Sequence, residues 1–252
     1  MKRKFIVLFF GLICLASLSY FIFFSNSFLL WLFEDKIWVH RVNSIEKLVE
    51  VQTKFNGVEL DIVFLDSLNE FDINHPPEPS IQLFLDDYLS SVNKNSSLHF
   101  WLDFKNLEIE NQKNALNKLN SICDSLSLNR IQIIVESGNV ALLTEFSKAG
   151  YEISYYLHWP GLYSLDKNQF QNQLTQIKSN LESLNYQGYL SSDYRDYYIL
   201  KENFPKHKIL LWLEHPFGKE NKFKDRIQLY KLLLDNQVKI LLMKYKSNIK
   251  ER

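Results

Sequence analysis

Short apolar runs alternate with amphipathic helical patterns along almost the whole chain beyond residue 37, and this alternation restricts the fold more than any other feature. The runs fall at residues 38–42, 57–64, 98–105, 130–136, 151–157, 188–193, 208–214 and 238–245. Each is rich in β-branched and aromatic residues, the composition of strands buried on both faces. Between them, residues 44–55, 80–92, 111–126, 140–148, 168–184, 197–204 and 223–234 carry apolar side chains at helical spacing. Asn43 or Ser44 caps the first of these helices. Gly57, Gly150 and Gly188 stand between helices and strands, where helix termination favours a residue free to take positive φ. Eight strands separated by seven helices predict an α/β chain folded as a (β/α)₈ barrel with its eighth helix short or missing. The segment just before the first strand is left to cover that gap. A doubly wound open sheet is the competing architecture. It calls for a Gly-rich phosphate loop after the first strand, and none is present.

The N-terminus has a different character. Lys2, Arg3 and Lys4 precede an apolar stretch over residues 5–24. At 1.5 Å per residue such a stretch crosses a bilayer core of roughly 30 Å. The leading basic residues predict a cytoplasmic N-terminus with the remainder outside. An uncleaved transmembrane anchor is therefore expected, with a cleaved signal peptide as the competing reading. This divides the chain into residues 1–35, anchor and stem, and residues 36–252, a catalytic barrel. The expected location is membrane-anchored and extracytoplasmic. Cys14 lies in the apolar segment and Cys123 in a helix, so no disulfide framework or cysteine zinc motif arises. With 29 acidic and 29 basic residues the chain is neutral overall. That excludes a nucleic-acid binder relying on a broad basic field.

Charged residues collect where apolar runs end. His40-Arg41 closes the first run, Glu59-Leu60-Asp61 lies in the second, His75-Pro76-Pro77 follows it, and Asp103-Phe104-Lys105 ends the third. Glu59 and Asp61 are two apart and share one side of their strand, as do Trp101, Asp103 and Lys105. Carboxylates pointing together into a barrel repel and desolvate badly unless a cation lies between them. Glu59, Asp61 and Asp103 thus form an all-oxygen set suited to one divalent cation, Mg²⁺ or Ca²⁺. His40 and His75 beside it fit an acid–base pair. Arg41 and Lys105 are natural partners for phosphate oxygens. Pro76, Pro77 and Pro79 stiffen the loop holding His75. Later strand ends supply secondary substrate contacts, Glu136 and Trp212 among them, with His158, Trp159, Asp193, Arg195, Glu214 and His215 as further candidates.

The order His40-Arg41, Glu59-Leu60-Asp61, His75 resembles the glycerophosphodiester phosphodiesterase superfamily of barrels. Asp103-Phe104-Lys105 is similar to the Asp-x-Lys of its spider-venom phospholipase D branch. The phrasing of His75-Pro76-Pro77, of the helix around Leu85-Asp86-Asp87-Tyr88-Leu89, and of Leu102-Asp103-Phe104-Lys105-Asn106 resembles the menorin family within that superfamily. The stretch from Phe64 to Ser80 is shorter than the insertion those phosphodiesterases usually carry, and Arg41 departs from the menorin pattern toward theirs. The resemblance implies a metal held by Glu59, Asp61 and Asp103, with His40 and His75 as acid and base.

Two functions fit. One is a metal-dependent phosphodiesterase acting on a glycerophosphodiester or a phospholipid head group, with the membrane engaged through the N-terminal helix and no nucleic-acid partner. The other is a non-catalytic extracytoplasmic menorin-like binding or adhesion module that keeps the barrel.

Overall fold

The structure, a computed structural model, describes residues 9, 15, 17, 19–93, 96–216 and 223–247. Nine strands are described: β1 (Ile37–His40), β2 (Gly57–Leu65), β3 (Glu70–Ile73), β4 (His99–Phe104), β5 (Ile133–Ser137), β6 (Glu152–Tyr156), β7 (Tyr189–Asp193), β8 (Ile209–Pro216) and β9 (Val238–Lys244). The helices are α1 (Asn26–Leu32), α2 (Ile45–Val51), α3 (Leu85–Ser90), α4 (Gln112–Leu126), α5 (Val140–Lys148), α6 (Lys167–Ser183), α7 (Tyr197–Asn203) and α8 (Phe223–Leu234). All strands except β3 pair in parallel around a ring. Closure comes from β1, which pairs with β2 through Val39 and Val58 and with β9 from Ile37–Leu241 to His40–Lys244. An eight-stranded parallel barrel results, as the strand–helix alternation predicts.

Three local departures have physical reasons. First, β3 is an added strand, antiparallel to β2 over Ile62–Ile73 to Leu65–Glu70. It carries the chain back toward the barrel mouth and delivers His75. Second, the helical pattern over 80–92 yields a helix only from Leu85. The Ile73 N–H donates to the Leu83 carbonyl at 2.9 Å, and Phe84 is extended with a bridge to Asp72. Tertiary pairing with β3 overrides the local period there. Third, the run at 130–136 begins as a single 3₁₀ turn, Arg130–Gln132, because the Asn129 side chain accepts from the Ile131 N–H.

The glycines divide by mechanism. Gly150 has φ +96 after α5, the left-handed terminator expected of it. Gly57 is required by close approach instead. A Cβ there would lie 2.1 Å from the Trp38 ring. That ring belongs to an apolar plug inside the barrel, built by Trp38, Trp101, Ile134, Leu210, Trp212, Ile240 and Leu242. The plug fills the middle of the barrel and separates a cavity at the strand C-termini from one at the opposite end, lined by Trp38, Ile134 and Ile240. A larger core lies between the strands and the outer helices.

No helix among the described residues is long and apolar enough to cross a membrane. Most of the apolar stretch expected to do so, residues 5–24, lies outside the described residues. The stem is described, and its Leu29 is fully buried in the core. Lys36 ties it to the C-terminal end of α8, donating to the carbonyls of Leu233 at 2.8 Å and Asp235 at 2.9 Å.

Candidate active site

Parallel register brings the acidic residues together. Asp61 on β2 stands opposite Asp103 on β4, Asp103 opposite Glu136 on β5, and Glu136 opposite Ser154 on β6. One residue pair earlier, Glu59 stands opposite Trp101. The period of two turns all of these inward near the strand C-termini, the end at which barrel chemistry is built. Glu59, Asp61, Trp101, Asp103 and Glu136 line a cavity of about 290 Å³ with His40, Arg41, His75, Lys105, Tyr156, Trp159, Trp212 and Leu242. The principal residues proposed from the sequence, His40, His75, Arg41, Lys105, Glu59, Asp61 and Asp103, are therefore in one cavity, joined by the secondary candidates Glu136, Trp159 and Trp212.

Several of the secondary candidates are placed elsewhere. His158, Asp193 and Arg195 do not line the cavity. Asp193 is spent on Arg195, accepting from its Nε and Nη2 at 2.7 Å each. The side chains of Glu214 and His215 lie outside the described ones. The residues that sequence reasoning underweighted are aromatic. Trp101, read only as sharing a strand side with Asp103 and Lys105, lines the cavity floor. Tyr156 stacks on Trp212 with ring centroids 5.4 Å apart and planes 7° from parallel. Both Trp101 and Trp212 hold buried indole N–H groups with no protein partner. A buried donor left unpaired costs about 1–3 kcal/mol, so these two are suited to a ligand's acceptor atoms.

Charge around the carboxylates is incompletely balanced. Lys105 Nζ bonds to Asp103 and lies 2.7 Å from Asp61 Oδ1. Asn43 clamps Asp61, donating its amide to Oδ2 at 2.7 Å and accepting the Asp61 N–H at 3.0 Å. Burial pushes the Asp61 carboxyl up, but the Lys105 charge and hydrogen bond with the Asn43 amide outweigh it and hold Asp61 below its usual value. Burial dominates at the other acids. It raises Asp103 despite Lys105, and raises Glu59 well above the usual range with help from the charges of Asp61 and Asp103. Glu136 is pushed up to about 8 by burial and then by Asp103, although Ser154 donates to it at 2.9 Å. Lys105 is desolvated too, yet the three acids around it raise its pKa.

The histidines flank this cluster. His40 Nε2 lies 3.6 Å from Glu59 Oε2. Burial lowers the His40 pKa to about 3, and the neighbouring Arg41 charge adds to the effect, so its ring is neutral. Arg41 adopts φ +54, and its N–H donates to Glu59 Oε2 at 2.7 Å. Its Nη2 lies 2.9 Å from His75 Nε2. Guanidinium only donates, so His75 Nε2 is the acceptor and the proton sits on Nδ1. A backbone held at positive φ by a non-glycine residue is a strained arrangement that concentrates at functional sites.

Glu59, Asp61 and Asp103 each offer one oxygen, and these lie within 4.8 Å of one another. The donor set is all carboxylate, and two of the three acids are lifted by uncompensated burial. Both features fit a hard divalent cation.

No family model matches the sequence, and no curated protein matches it. Solved structures do share the fold. A glycerophosphodiester phosphodiesterase from Parabacteroides distasonis ATCC 8503 superposes with a TM-score of 0.58 at 16% identity, over 83% of this chain and 92% of that one. An Oleispira antarctica phosphodiesterase in complex with the product sn-glycerol-3-phosphate gives a TM-score of 0.53 at 13% identity, over 85% of this chain and 95% of that one. At these identities the likeness is one of fold: the chain is a (β/α)₈ barrel built on the same plan as these proteins.

Proposed function

We propose that this chain is a metal-dependent phosphodiesterase of the glycerophosphodiester phosphodiesterase kind. The observation that carries the reading is the convergence of three carboxylates, two cations and two histidines in one cavity at the strand C-termini. Shared architecture with phosphodiesterases, one of them bound to sn-glycerol-3-phosphate, supports a phosphodiester substrate. The His75-Pro76-Pro77 and Leu102-Asp103-Phe104-Lys105-Asn106 runs support a menorin-like branch. Three carboxylates sharing the single Lys105 ammonium beside two histidines favour catalysis over a binding or adhesion role, which has no need of an acid–base pair.

Glu59, Asp61 and Asp103 would hold one Mg²⁺ or Ca²⁺. When bound, such an ion neutralises phosphate charge and polarises an oxygen. Arg41 and Lys105 line the same cavity and direct their cationic groups at the phosphate oxygens. One histidine takes the proton of the attacking hydroxyl and the other returns one to the leaving oxygen. His40, left neutral by burial, is suited to take the proton, and His75 would have to carry one on Nε2 to return it, which requires substrate to draw Arg41 off that nitrogen. Arg41 keeps the His75 Nε2 lone pair oriented until substrate displaces it. The indole N–H groups of Trp101 and Trp212 and the carboxyl of Glu136 face the rest of the substrate. Protonated below about 8, Glu136 donates as well as accepts.

In the same proposal, residues 1–35 anchor the barrel and residues 36–252 act outside the cytoplasm. A reporter fused after Arg252 is expected to be active only in the exported compartment, and cytoplasmic activity overturns the placement. For the chemistry, the full chain is offered lysophospholipids, sphingomyelin and glycerophosphodiesters with Mg²⁺, Ca²⁺ or chelator. Metal-dependent release of a phosphomonoester or cyclic phosphate is expected. The absence of turnover on all of them overturns the enzymatic reading.

A further inference from the structure

The stem fixes where the N-terminal segment leaves the barrel. Because α8 follows β8, it starts at the catalytic end with Phe223 and ends at the opposite end with Leu234. The stem descends beside it in the same direction. Phe23 stacks on Tyr230 at 5.1 Å and packs on Phe223 at 5.4 Å, and Phe24 lies 6.4 Å from Phe223. Further on, Phe33 meets Tyr230 at 6.0 Å, and Lys36 reaches the carbonyls of Leu233 and Asp235 below the last turn. Read from Lys36 back to Phe23, the chain therefore climbs alongside α8 to the end that holds the cavity.

This exit is clamped. The Arg226 side chain is buried to 1% exposure and reaches across the junction. It donates from Nε to the Phe23 carbonyl at 2.9 Å, from Nη2 to the Ser25 carbonyl at 3.0 Å and from Nη1 to Asn26 Oδ1 at 2.9 Å. Ser25 caps α1 by accepting the Phe28 N–H, and its own N–H donates to Ile22. One buried guanidinium holding three acceptors within residues 23–26 fixes this exit rather than leaving it a swivelling linker. Exposed apolar side chains occur toward the opposite end as well, Leu234 and Ile131 among them, but around the exit and the mouth they are aromatic. Phe21 is 72% exposed and Phe223 60%, and Trp159 on the cavity rim is 58% exposed. Aromatic side chains of this kind settle at the bilayer–water interface.

We infer that the apolar segment over residues 5–24 enters the membrane beside the active-site mouth, so that the mouth faces the bilayer holding the anchor. The substrate is then a phosphodiester head group on a lipid of that same bilayer, not a freely soluble diester. The orientation rests on the anchor reading of residues 5–24 together with the stem and α8, and the substrate class rests in addition on the phosphodiesterase reading above. An anchor and its own substrate confined to one surface gain an effective concentration that a soluble substrate does not have.

The test uses the full chain reconstituted in phosphatidylcholine–phosphatidylglycerol vesicles, with Cys14→Ser so that only introduced thiols react, Cys123 being buried. A fluorophore is placed at Trp159→Cys on the mouth or at Ile131→Cys, which is exposed at the opposite end of the barrel. Quenching by head-group spin-labelled lipid is expected for the first and not for the second. Equal quenching of both, the reverse pattern or quenching of neither overturns the orientation, whether or not the protein turns over any substrate. Separately, the unlabelled chain is given phosphodiester lipid in its own vesicles or in protein-free vesicles at equal bulk concentration. Hydrolysis in its own vesicles is expected to be at least about tenfold faster. Equal rates, or a soluble diester turned over faster than either, overturn the substrate class while leaving the phosphodiesterase reading intact.

Discussion

Two groups of buried acids stand at strand ends of this barrel, and they are treated oppositely. On the β7 side, Asp193 and Asp196 are fully buried and fully engaged. Asp193 holds Arg195 bidentately, and Arg195 lies over the Tyr163 ring at 4.1 Å. Asp196 accepts the N–H groups of Leu162 and Tyr163 at 2.7 Å each, and the Ser192 hydroxyl. On the β2–β4–β5 side, Glu59, Asp103 and Glu136 share few donors and one ammonium; burial raises all three, as it also raises Asp196, so it is the donor supply that differs. The first group is structural. It spends its lone pairs fastening the loop after β6 to the end of β7. The second is supplied with fewer donors, a deficit that the proposed cation would fill. Burial of a carboxylate is therefore uninformative by itself, and what separates scaffold from site is how many protein donors have been supplied.

The sharpest way to break this comparison is through the histidines. His40→Ala or His75→Ala is expected to lower kcat by about 10²–10⁴, with added metal restoring nothing. Asp61→Asn is expected instead to raise the metal concentration needed and to recover part of its rate in excess Mg²⁺ or Ca²⁺. Steady-state kinetics across a metal titration reads both, and equal behaviour of the two classes of variant contradicts the separate roles.

A smaller effect should appear on the structural side. Asp196→Ala leaves the N–H groups of Leu162 and Tyr163 without their acceptor. The expected loss is about 3 kcal/mol in urea unfolding, with metal affinity of the folded protein unchanged. A change in metal affinity comparable to that of Asp61→Asn would erase the distinction between the two acid groups.

The smallest effect is on pH dependence. Glu136 has a folded pKa of about 8, above its unfolded value. The folded state thus binds more protons than the unfolded state between those values, and stability falls as pH rises through that window. Glu136→Gln keeps the shape and removes the titration. In chelator, its unfolding free energy is expected to vary less from pH 5 to pH 8 than that of the parent. An unchanged slope contradicts the burial-raised carboxyl.

Much of this was legible in the sequence because its causes are periodic. Strand alternation aligned Glu59 with Asp61 and Trp101 with Asp103, and parallel register then set Asp61 beside Asp103. His40 and His75 were legible as strand-end residues. What could not be read depended on contacts distant in the chain. Asn43 looked like a helix cap, but Ser44 takes that role and Asn43 clamps Asp61 across the β1–β2 pair. Arg195 looked like a substrate contact, but Asp193 two residues earlier neutralises it. Tyr156 carried no signal at all, since its importance lies in stacking on Trp212. The positive φ of Arg41, which turns its N–H onto Glu59, leaves no mark on a non-glycine residue.

The central claim is that Glu59, Asp61 and Asp103 are arranged for a cation. A crystal of the protein soaked in Mn²⁺, a stand-in with strong anomalous scattering for Mg²⁺, tests it most directly. The account predicts one anomalous peak within coordinating distance of all three carboxylates, absent in Asp61→Asn and Asp103→Asn crystals soaked at the same concentration. No peak there, or a peak that persists in both variants, would contradict it.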